Sequence, residues 1–143
     1  MARVKIDLPQ SFCFSMSLNV RVTDLNYGDH LANDSIVSYL HVARTSLLES
    51  HSLSELNIGE GVSLIQGDLA VVYQSEGFLF NRISIKLAVG EFSNSSFTIY
   101  YALHNETTNK PLAKASTRMI CFDYELRKAK PIPDGFKKLF SNQ

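Results

Sequence analysis

The sequence lacks the features that mark nucleic-acid-binding, secreted or membrane proteins. Lysine plus arginine number 14 and aspartate plus glutamate also number 14, so the formal net charge is zero, whereas phosphate binding usually requires a basic excess. The longest apolar stretches, such as 69–73, are far shorter than the roughly 20 residues that span a bilayer. The first residues are charged and lead to Pro9 without a continuous apolar segment, unlike a signal peptide. We therefore expect a cytoplasmic protein without a nucleic-acid or membrane partner.

Cysteine is also scarce. Cys13 and Cys121 are the only two, and both lie in apolar, strand-like runs, so we expect buried, reduced thiols. The two cysteines and the four histidines show no spacing typical of metal ligands, and we expect no metal site. With 143 residues, of which 45% are hydrophobic, the chain can bury a core, and we expect residues 1–143 to form a single domain.

The apolar pattern predicts one strand, one long helix and then further strands. Residues 12–22 alternate between apolar and polar, which is the period of a strand. Turn and cap formers occupy 24–34, and apolar residues recur at helical spacing from 34 to about 50, with Asn33 or Asp34 as the expected N-cap. Later strands are expected over 61–75 with a bend near Gly67, 82–89, 97–103 and 112–123, and a short helix over 134–140.

Short turns between the later strands predict an antiparallel meander. One long helix must be covered by one sheet, so the predicted class is α+β, with a long central helix wrapped by a curved antiparallel sheet of five or six strands. The outer face and edges of such a sheet remain open, and zero net charge gives little self-repulsion. We therefore expect a homo-oligomer, either a dimer or a tetramer.

One segment carries a resemblance to a known family. Residues 24–34 read Asp-Leu-Asn-Tyr-Gly-Asp-His-Leu-Ala-Asn-Asp, and His41-Val42-Ala43-Arg44 follows in the predicted helix. Together they resemble the hotdog thioesterases of the 4-hydroxybenzoyl-CoA and acyl-ACP thioesterase type, in which a strand runs into Asp-x-Asp-x-x-Gly-His-Val-Asn-Asn and the central helix ends in an Ala-Arg pair. The resemblance covers nearly the whole chain. It implies a hotdog fold, a dimeric active unit and hydrolysis of an acyl thioester of coenzyme A or acyl carrier protein, with no cofactor besides the coenzyme A of the substrate.

The chain departs from this motif at its catalytic position. The usual catalytic carboxylate falls on Asn26, and an amide cannot act as a general base or as a carboxylate nucleophile. Asp24 would point to the same side as Asn26 if the chain stayed extended. Asp29 replaces the usual glycine before the histidine, and Asp34 lies at the start of the helix. The candidate catalytic residues are therefore Asp24, Asn26, His30 and Asp34.

Thioester hydrolysis requires an oxyanion site, a base or nucleophile, and a slot for the pantetheine arm. The N-terminus of a buried helix can supply the first, because its free N–H groups and its dipole favour negative charge, and residues 31–35 are placed for this. Asn26 could orient the water or donate to the carbonyl oxygen, and His30, Asp24 or Asp34 could act as the base. The candidate substrate-binding residues are Asn33, Tyr39, Tyr73, Ser75, Glu76, Ser95 and Ser96.

Two other functions remain open. Asp24-x-Asn26 followed by His30 also resembles the Asp-x-Asn-Pro-x-His motif of hotdog enoyl-CoA hydratases, although the proline is absent and the histidine comes one residue late. A non-catalytic acyl-thioester binding protein is the other alternative, and Asn26 is its support. Purely structural roles are also open: helix capping for Asn33 and Asp34, loop packing for His30, and an ion pair with Arg21 for Asp24.

Overall fold

The computed structural model describes residues 3–141. Along the chain, strand β1 (Phe14–Asn19) leads through a 3-10 turn (Val22–Asp24) to helix α1 (Asn33–Glu49), which is followed by strands β2 (Ser63–Tyr73), β3 (Arg82–Gly90), β4 (Ser96–Asn105), β5 (Lys110–Asp123) and β6 (Lys128–Ala129) and by helix α2 (Asp134–Phe140). The predicted order of strand, long helix and further strands is confirmed, as is the short helix near the C-terminus.

The strands form one antiparallel sheet in the order β1-β3-β4-β5-β2, and β6 pairs with β5. Only β3, β4 and β5 form the predicted meander. The prediction is wrong for β2, which pairs with β5 at the edge of the sheet instead of with β3. The segment between β2 and β3, residues 74–81, therefore crosses the end of the sheet. There it meets the start of α1, since the Leu31 N–H donates to the Gly77 carbonyl at 2.8 Å.

Helix α1 packs on the inner face of the sheet because its apolar face is broad. The helix residues buried there are Ile36, Tyr39, Leu40, Ala43, Arg44, Leu47 and Leu48. Alternate residues of β3, among them Ile83, Ile85 and Leu87, are fully buried, as the two-residue period of a strand requires. One long helix against an antiparallel sheet is the α+β arrangement that the sequence predicts.

Strand β1 is shorter than predicted. The alternation of residues 12–22 suggested one continuous strand, but β1 ends at Asn19 and the 3-10 turn follows. Val22 lies in that turn and is 70% exposed, so it does not share the buried face of Val20. The turn redirects the chain toward the start of α1.

The start of α1 also differs from the prediction. The helix begins at Asn33, and its N-cap is Ala32, which makes no side-chain capping bond within residues 3–141. Asn33 and Asp34 are therefore the first two helical residues, and the prediction that one of them is the N-cap is wrong. The Ala43-Arg44 pair lies within the helix, which continues to Glu49.

The predicted bend of β2 is confirmed. The pairing of β2 with β5 shifts register between Gln66 and Asp68. A Cβ on Gly67 would lie 2.8 Å from Ile120 Cδ1, so only glycine fits this bulge without movement of the isoleucine.

The two cysteines differ in burial. Cys121 is buried, and burial raises the pKa of its thiol to about 11. Cys13 is only half-buried, contrary to expectation.

Among residues 3–141, no helix is both long enough and apolar enough to cross a bilayer.

Candidate active site

The N-terminus of α1 carries three backbone N–H groups that have no partner among residues 3–141. The N–H of Ala32 and the hydroxyl of Ser35 both donate to the Asp24 carbonyl at 2.9 Å. Ala32 has no polar side chain to cap the helix. Within residues 3–141, the N–H groups of 33, 34 and 35 therefore have no acceptor, as at any uncapped helix start. Of the expected 31–35, only 33–35 can bind an anion, because the N–H groups of 31 and 32 are occupied.

Asn26 stabilises the loop that precedes the helix. Its side-chain oxygen accepts from the N–H of Gly28 at 2.9 Å and from the N–H of His30 at 3.2 Å, and its own N–H donates to the His30 carbonyl at 2.8 Å. Asp29 adopts a positive φ of 63° in the same loop. The oxygen of Asn26 is thus engaged, and its side-chain NH2 is the group left for water or substrate.

Asp24 and Asn26 do not share one side of an extended strand. The 3-10 turn buries Asp24, whereas Asn26 is exposed. The Asp24 carboxylate accepts from the Arg21 N–H at 2.9 Å, from Arg21 Nε at 3.3 Å and from the Tyr39 hydroxyl at 2.7 Å. Burial raises the pKa of Asp24, but the hydrogen bonds from Tyr39 and Arg21 outweigh it and leave the pKa below its usual value. An ionised carboxylate with these donors suits a positioning role, and the ion pair with Arg21 is present.

Tyr39 is buried, unlike a residue that lines an open substrate site. Its side chain is only 2% exposed, and its hydroxyl is directed to Asp24. Burial, followed by the bond to Asp24, raises the pKa of this hydroxyl well above its usual value. The residue therefore connects the middle of α1 to the turn after β1, and contact with substrate stays a prediction.

The structure brings His30 and Glu76 together. His30 Nδ1 lies 3.1 Å from Glu76 Oε1, and the imidazole packs against the ring of Phe78 with 5.4 Å between the centroids. The His30 side chain is 39% exposed and that of Glu76 is 61% exposed. His30, which was expected to be catalytic, and Glu76, which was expected to bind substrate, thus form one pair beside the start of α1.

The other predicted binding residues divide into two groups. At the end of β2, the Tyr73 hydroxyl donates to the Asn33 carbonyl at 3.3 Å, which places Tyr73 at the helix start. The Ser75 hydroxyl instead donates to the Pro111 carbonyl at 2.7 Å, so its hydrogen is not available to a ligand in this geometry.

Ser95 and Ser96 lie at the start of β4, away from the helix N-terminus. Ser96 stands opposite Ile120 of β5, whereas Tyr73 stands opposite Ala113. Seven residues of β5 separate these rows, which is about 23 Å along a strand. Within one chain, the two serines do not join the site.

Two features of the site were missed by the sequence analysis. The segment between the strands expected over 61–75 and 82–89 was treated only as a short turn, yet Gly77 accepts from Leu31 and Phe78 contacts His30. A Cβ on Gly77 would lie 3.1 Å from Leu31 Cβ, so a glycine directly after Glu76 was the available signal.

The second missed feature is a polar cluster along α1. Arg44 is buried, its Nη1 donates to the Tyr101 hydroxyl at 3.1 Å and its Nε pairs with Glu55. A cleft of about 240 Å³ lies between α1 and β2 beside Arg44, lined in addition by Val37, Ser38, Leu40, His41, Gln66, Leu69 and Thr117. It begins one helical turn after the free N–H groups.

A family model for the thioesterase-like superfamily matches residues 20–140. The chain belongs to this superfamily. Membership in it supports a thioester hydrolase. No curated protein sequence matches the chain.

Solved structures with a similar fold include three thioesterase-type proteins. A 1,4-dihydroxy-2-naphthoyl-CoA thioesterase from Synechocystis has 21% identity and a TM-score of 0.81, with 90% of this chain and 96% of that chain covered. A thioesterase superfamily protein from Jannaschia sp. CCS1 has 18% identity and a TM-score of 0.82, with 94% and 84% covered. A probable thioesterase from Escherichia coli has 17% identity and a TM-score of 0.75, with 87% and 93% covered. The hotdog fold is thereby confirmed.

Proposed function

We propose that the chain hydrolyses acyl-CoA thioesters to a free acid and a thiol at the N-terminus of α1. The observation that carries this proposal is the row of unpaired N–H groups at 33–35, which follows His30 by three residues. Such groups, together with the helix dipole, stabilise the oxyanion that forms when water attacks a thioester carbonyl. Superfamily membership supports the same reaction type.

His30 is the proposed general base. It takes a proton from water while the water oxygen bonds to the carbonyl carbon, and the carbonyl oxygen accepts from the free N–H groups. The tetrahedral intermediate then collapses, the carbon–sulfur bond breaks, and the thiolate leaves with the proton that His30 held. The side-chain NH2 of Asn26 supports the attacking water or the carbonyl oxygen, because its oxygen is already bonded within the loop.

The cleft between α1 and β2 is the proposed slot for the acyl group. Its lining combines apolar residues, such as Val37 and Leu69, with polar ones, such as Arg44, Gln66 and Thr117. An acyl group with both apolar and polar parts fits this lining. The Synechocystis protein, a 1,4-dihydroxy-2-naphthoyl-CoA thioesterase, suggests that aromatic acyl groups should be tested first. Carrier-protein thioesters are the alternative substrate.

We also propose that the active unit is a homodimer joined along β2. Among residues 3–141, no other strand pairs with the outer edge of β2, and such edges favour pairing with another chain. If two β2 strands pair antiparallel around Leu69, Tyr73 of one copy faces Ile65 of the other. Ile65 is in one row with Ile120 and Ser96. The partner's serine turn would then lie three strand spacings, or about 14 Å, from Tyr73, and a dimer of dimers remains open.

The remaining expectations complete the proposal. We propose that residues 1–143 act as one domain in the cytoplasm, with no nucleic-acid or membrane partner and no cofactor besides the coenzyme A of the substrate. Scarce cysteine and zero net charge support this assignment.

The test is thiol release from a panel of aromatic and aliphatic acyl-CoA esters, with His30→Ala as the comparison. Hydrolysis of at least one ester by the parent protein is expected. An absorbance change of an enoyl-CoA without thiol release would indicate a hydratase instead. A rise in melting temperature with acyl-CoA but no turnover would indicate a binding protein, because a ligand that binds only the native state stabilises it.

A further inference from the structure

We propose that Glu76 is a positioning residue that fixes the imidazole of His30 for base catalysis, an inference that rests on the proposed hydrolysis. The carboxylate lies 3.1 Å from His30 Nδ1. It brings a carboxylate from a different part of the chain to the loop in which position 26 holds an amide. No sequence motif connects the two residues, since 46 positions separate them; the crossing of 74–81 over the end of the sheet brings them together.

Neighbouring contacts fix the positions of both His30 and Glu76. The Leu31 N–H donates to the Gly77 carbonyl at 2.8 Å, which ties the residue after His30 to the residue after Glu76. Gly77 permits this approach, because a Cβ there would lie 3.1 Å from Leu31 Cβ. The ring of Phe78 packs against the imidazole, and the His30 N–H is held by Asn26.

The chemistry follows from which nitrogen the carboxylate contacts. A carboxylate at Nδ1 favours the tautomer that carries hydrogen there, which leaves the lone pair on Nε2 to accept a proton from water. When Nε2 takes that proton, the adjacent negative charge stabilises the imidazolium. The proton passes from Nε2 to the departing thiolate and never to Glu76.

The first experiment measures kcat and KM for thiol release by the parent, Glu76→Gln and Glu76→Asp. We expect Glu76→Gln to lower kcat about tenfold, less than the roughly 10²–10⁴-fold of a general base itself, because Glu76 acts only through His30 and the pair is partly exposed, with little change in KM. Glu76→Asp should lose less, because it retains the charge. Glu106→Gln is the matched control: this glutamate pairs with Arg82 at 3.0 Å and is 43% exposed, and its loss should leave the rate unchanged.

The second experiment combines Glu76→Gln with His30→Ala. If Glu76 acts through His30, the double variant should be no slower than His30→Ala alone. A full additional loss would show that Glu76 acts on substrate or water directly and would overturn the proposal. A change confined to KM would assign Glu76 to substrate binding, and a rate within twofold of the parent for Glu76→Gln would remove any role.

A readout without turnover separates this inference from the proposed function. Nitrogen-15 NMR of the imidazoles, with the His30 signals assigned by their loss in His30→Ala, reports which nitrogen carries hydrogen. The parent should show hydrogen on Nδ1 of His30, and Glu76→Ala should shift the population toward Nε2. If the parent releases no thiol from any acyl-CoA, the proposed function fails, and an unchanged tautomer in Glu76→Ala separately overturns the role of Glu76.

Discussion

The buried bond between Tyr39 and Asp24 gives a sharp test of how this site is supported. Tyr39→Phe removes one hydroxyl and leaves the ring in the core, so it deletes the 2.7 Å hydrogen bond to the carboxylate without creating a large cavity. Asp24 keeps its bonds from Arg21 and is not left without a donor. The substitution therefore measures one charge-assisted hydrogen bond.

The expected cost is about 2 kcal/mol in the free energy of unfolding, since hydrogen bonds to charged groups contribute roughly 1.5–3 kcal/mol. For a chain of 143 residues, that loss lowers the melting temperature by about 7 °C. The pKa of Asp24 is below its usual value in the folded protein. The ionised carboxylate therefore stabilises the fold at pH values above its usual pKa of about 3.9. This contribution is lost as pH falls through the folded pKa, and the difference between parent and variant should shrink there.

Thermal and urea unfolding at neutral and acidic pH measure the effect, with thiol release measured on the same samples. Tyr124→Phe is the control, because Tyr124 is 47% exposed and should tolerate the change. A variant as stable as the parent at neutral pH would refute the reasoning about the bond. A raised KM with unchanged stability would instead support the sequence-based expectation that Tyr39 contacts substrate.

Further predictions concern the loop, the helix start and the assembly. His30→Ala should reduce kcat at least about tenfold in the thiol-release assay, and a parental rate would exclude it as the base. Asn26→Asp should fold, because one aspartate oxygen can accept the same two N–H bonds, and it should retain or raise thiol release, because the other oxygen can accept a proton from the water that the NH2 of Asn26 only orients; a variant that melts far below the parent, or that folds without activity, would contradict this. Asp34→Ala should change the free energy of unfolding by no more than about 0.3–1 kcal/mol, the size of a helix-dipole contact, because no cap bond is lost; a larger drop in a urea titration would show a missed contact. Light scattering should give twice the 16.0 kDa chain mass or a multiple of it, and a monomer at micromolar concentration would refute assembly along β2.

The sequence predicted those parts of the fold that depend on local period. Alternation identified β3 and β4, helical spacing identified α1, and Gly67 identified the bulge, because each pattern is contained in a short segment. The partner of β2 depends on pairing at long range, and nothing in 61–75 distinguishes β5 from β3 as its neighbour. The end of β1 was misjudged for the same reason: Val22 continues the alternation, but the Val20 N–H bonds to Asn81 and the chain turns.

The site was predicted in the same uneven way. The motif located the loop and the helix start. Tyr73 and Glu76 were expected to bind substrate, and the structure places them beside Asn33 and His30 of the same chain; their contact with substrate stays a prediction. The cap was wrong, because Asn33 and Asp34 are good capping residues by type but a cap must precede the helix, and hydrogen bonds to the Asp24 carbonyl fix the start at Asn33. The burial of Asp24 depends on Tyr39, which is 15 residues away, and no local pattern contains it.

The crossing of 74–81 explains how a site can retain a carboxylate when its motif position holds an amide. Because β2 lies at the far edge of the sheet from β1, the chain must pass the N-terminus of α1 to reach β3. Residues 76–78 are therefore brought to the loop of 26–30 by topology, whatever residue occupies position 26. An acidic residue at 76 can then reach a histidine at 30, whereas at 74 or 75 it would lie in the segment whose backbone N–H groups donate to the Leu112 carbonyl of β5. Glu76 stands just beyond these bonds, directly before Gly77, and the proposed base catalysis by His30 depends on that position.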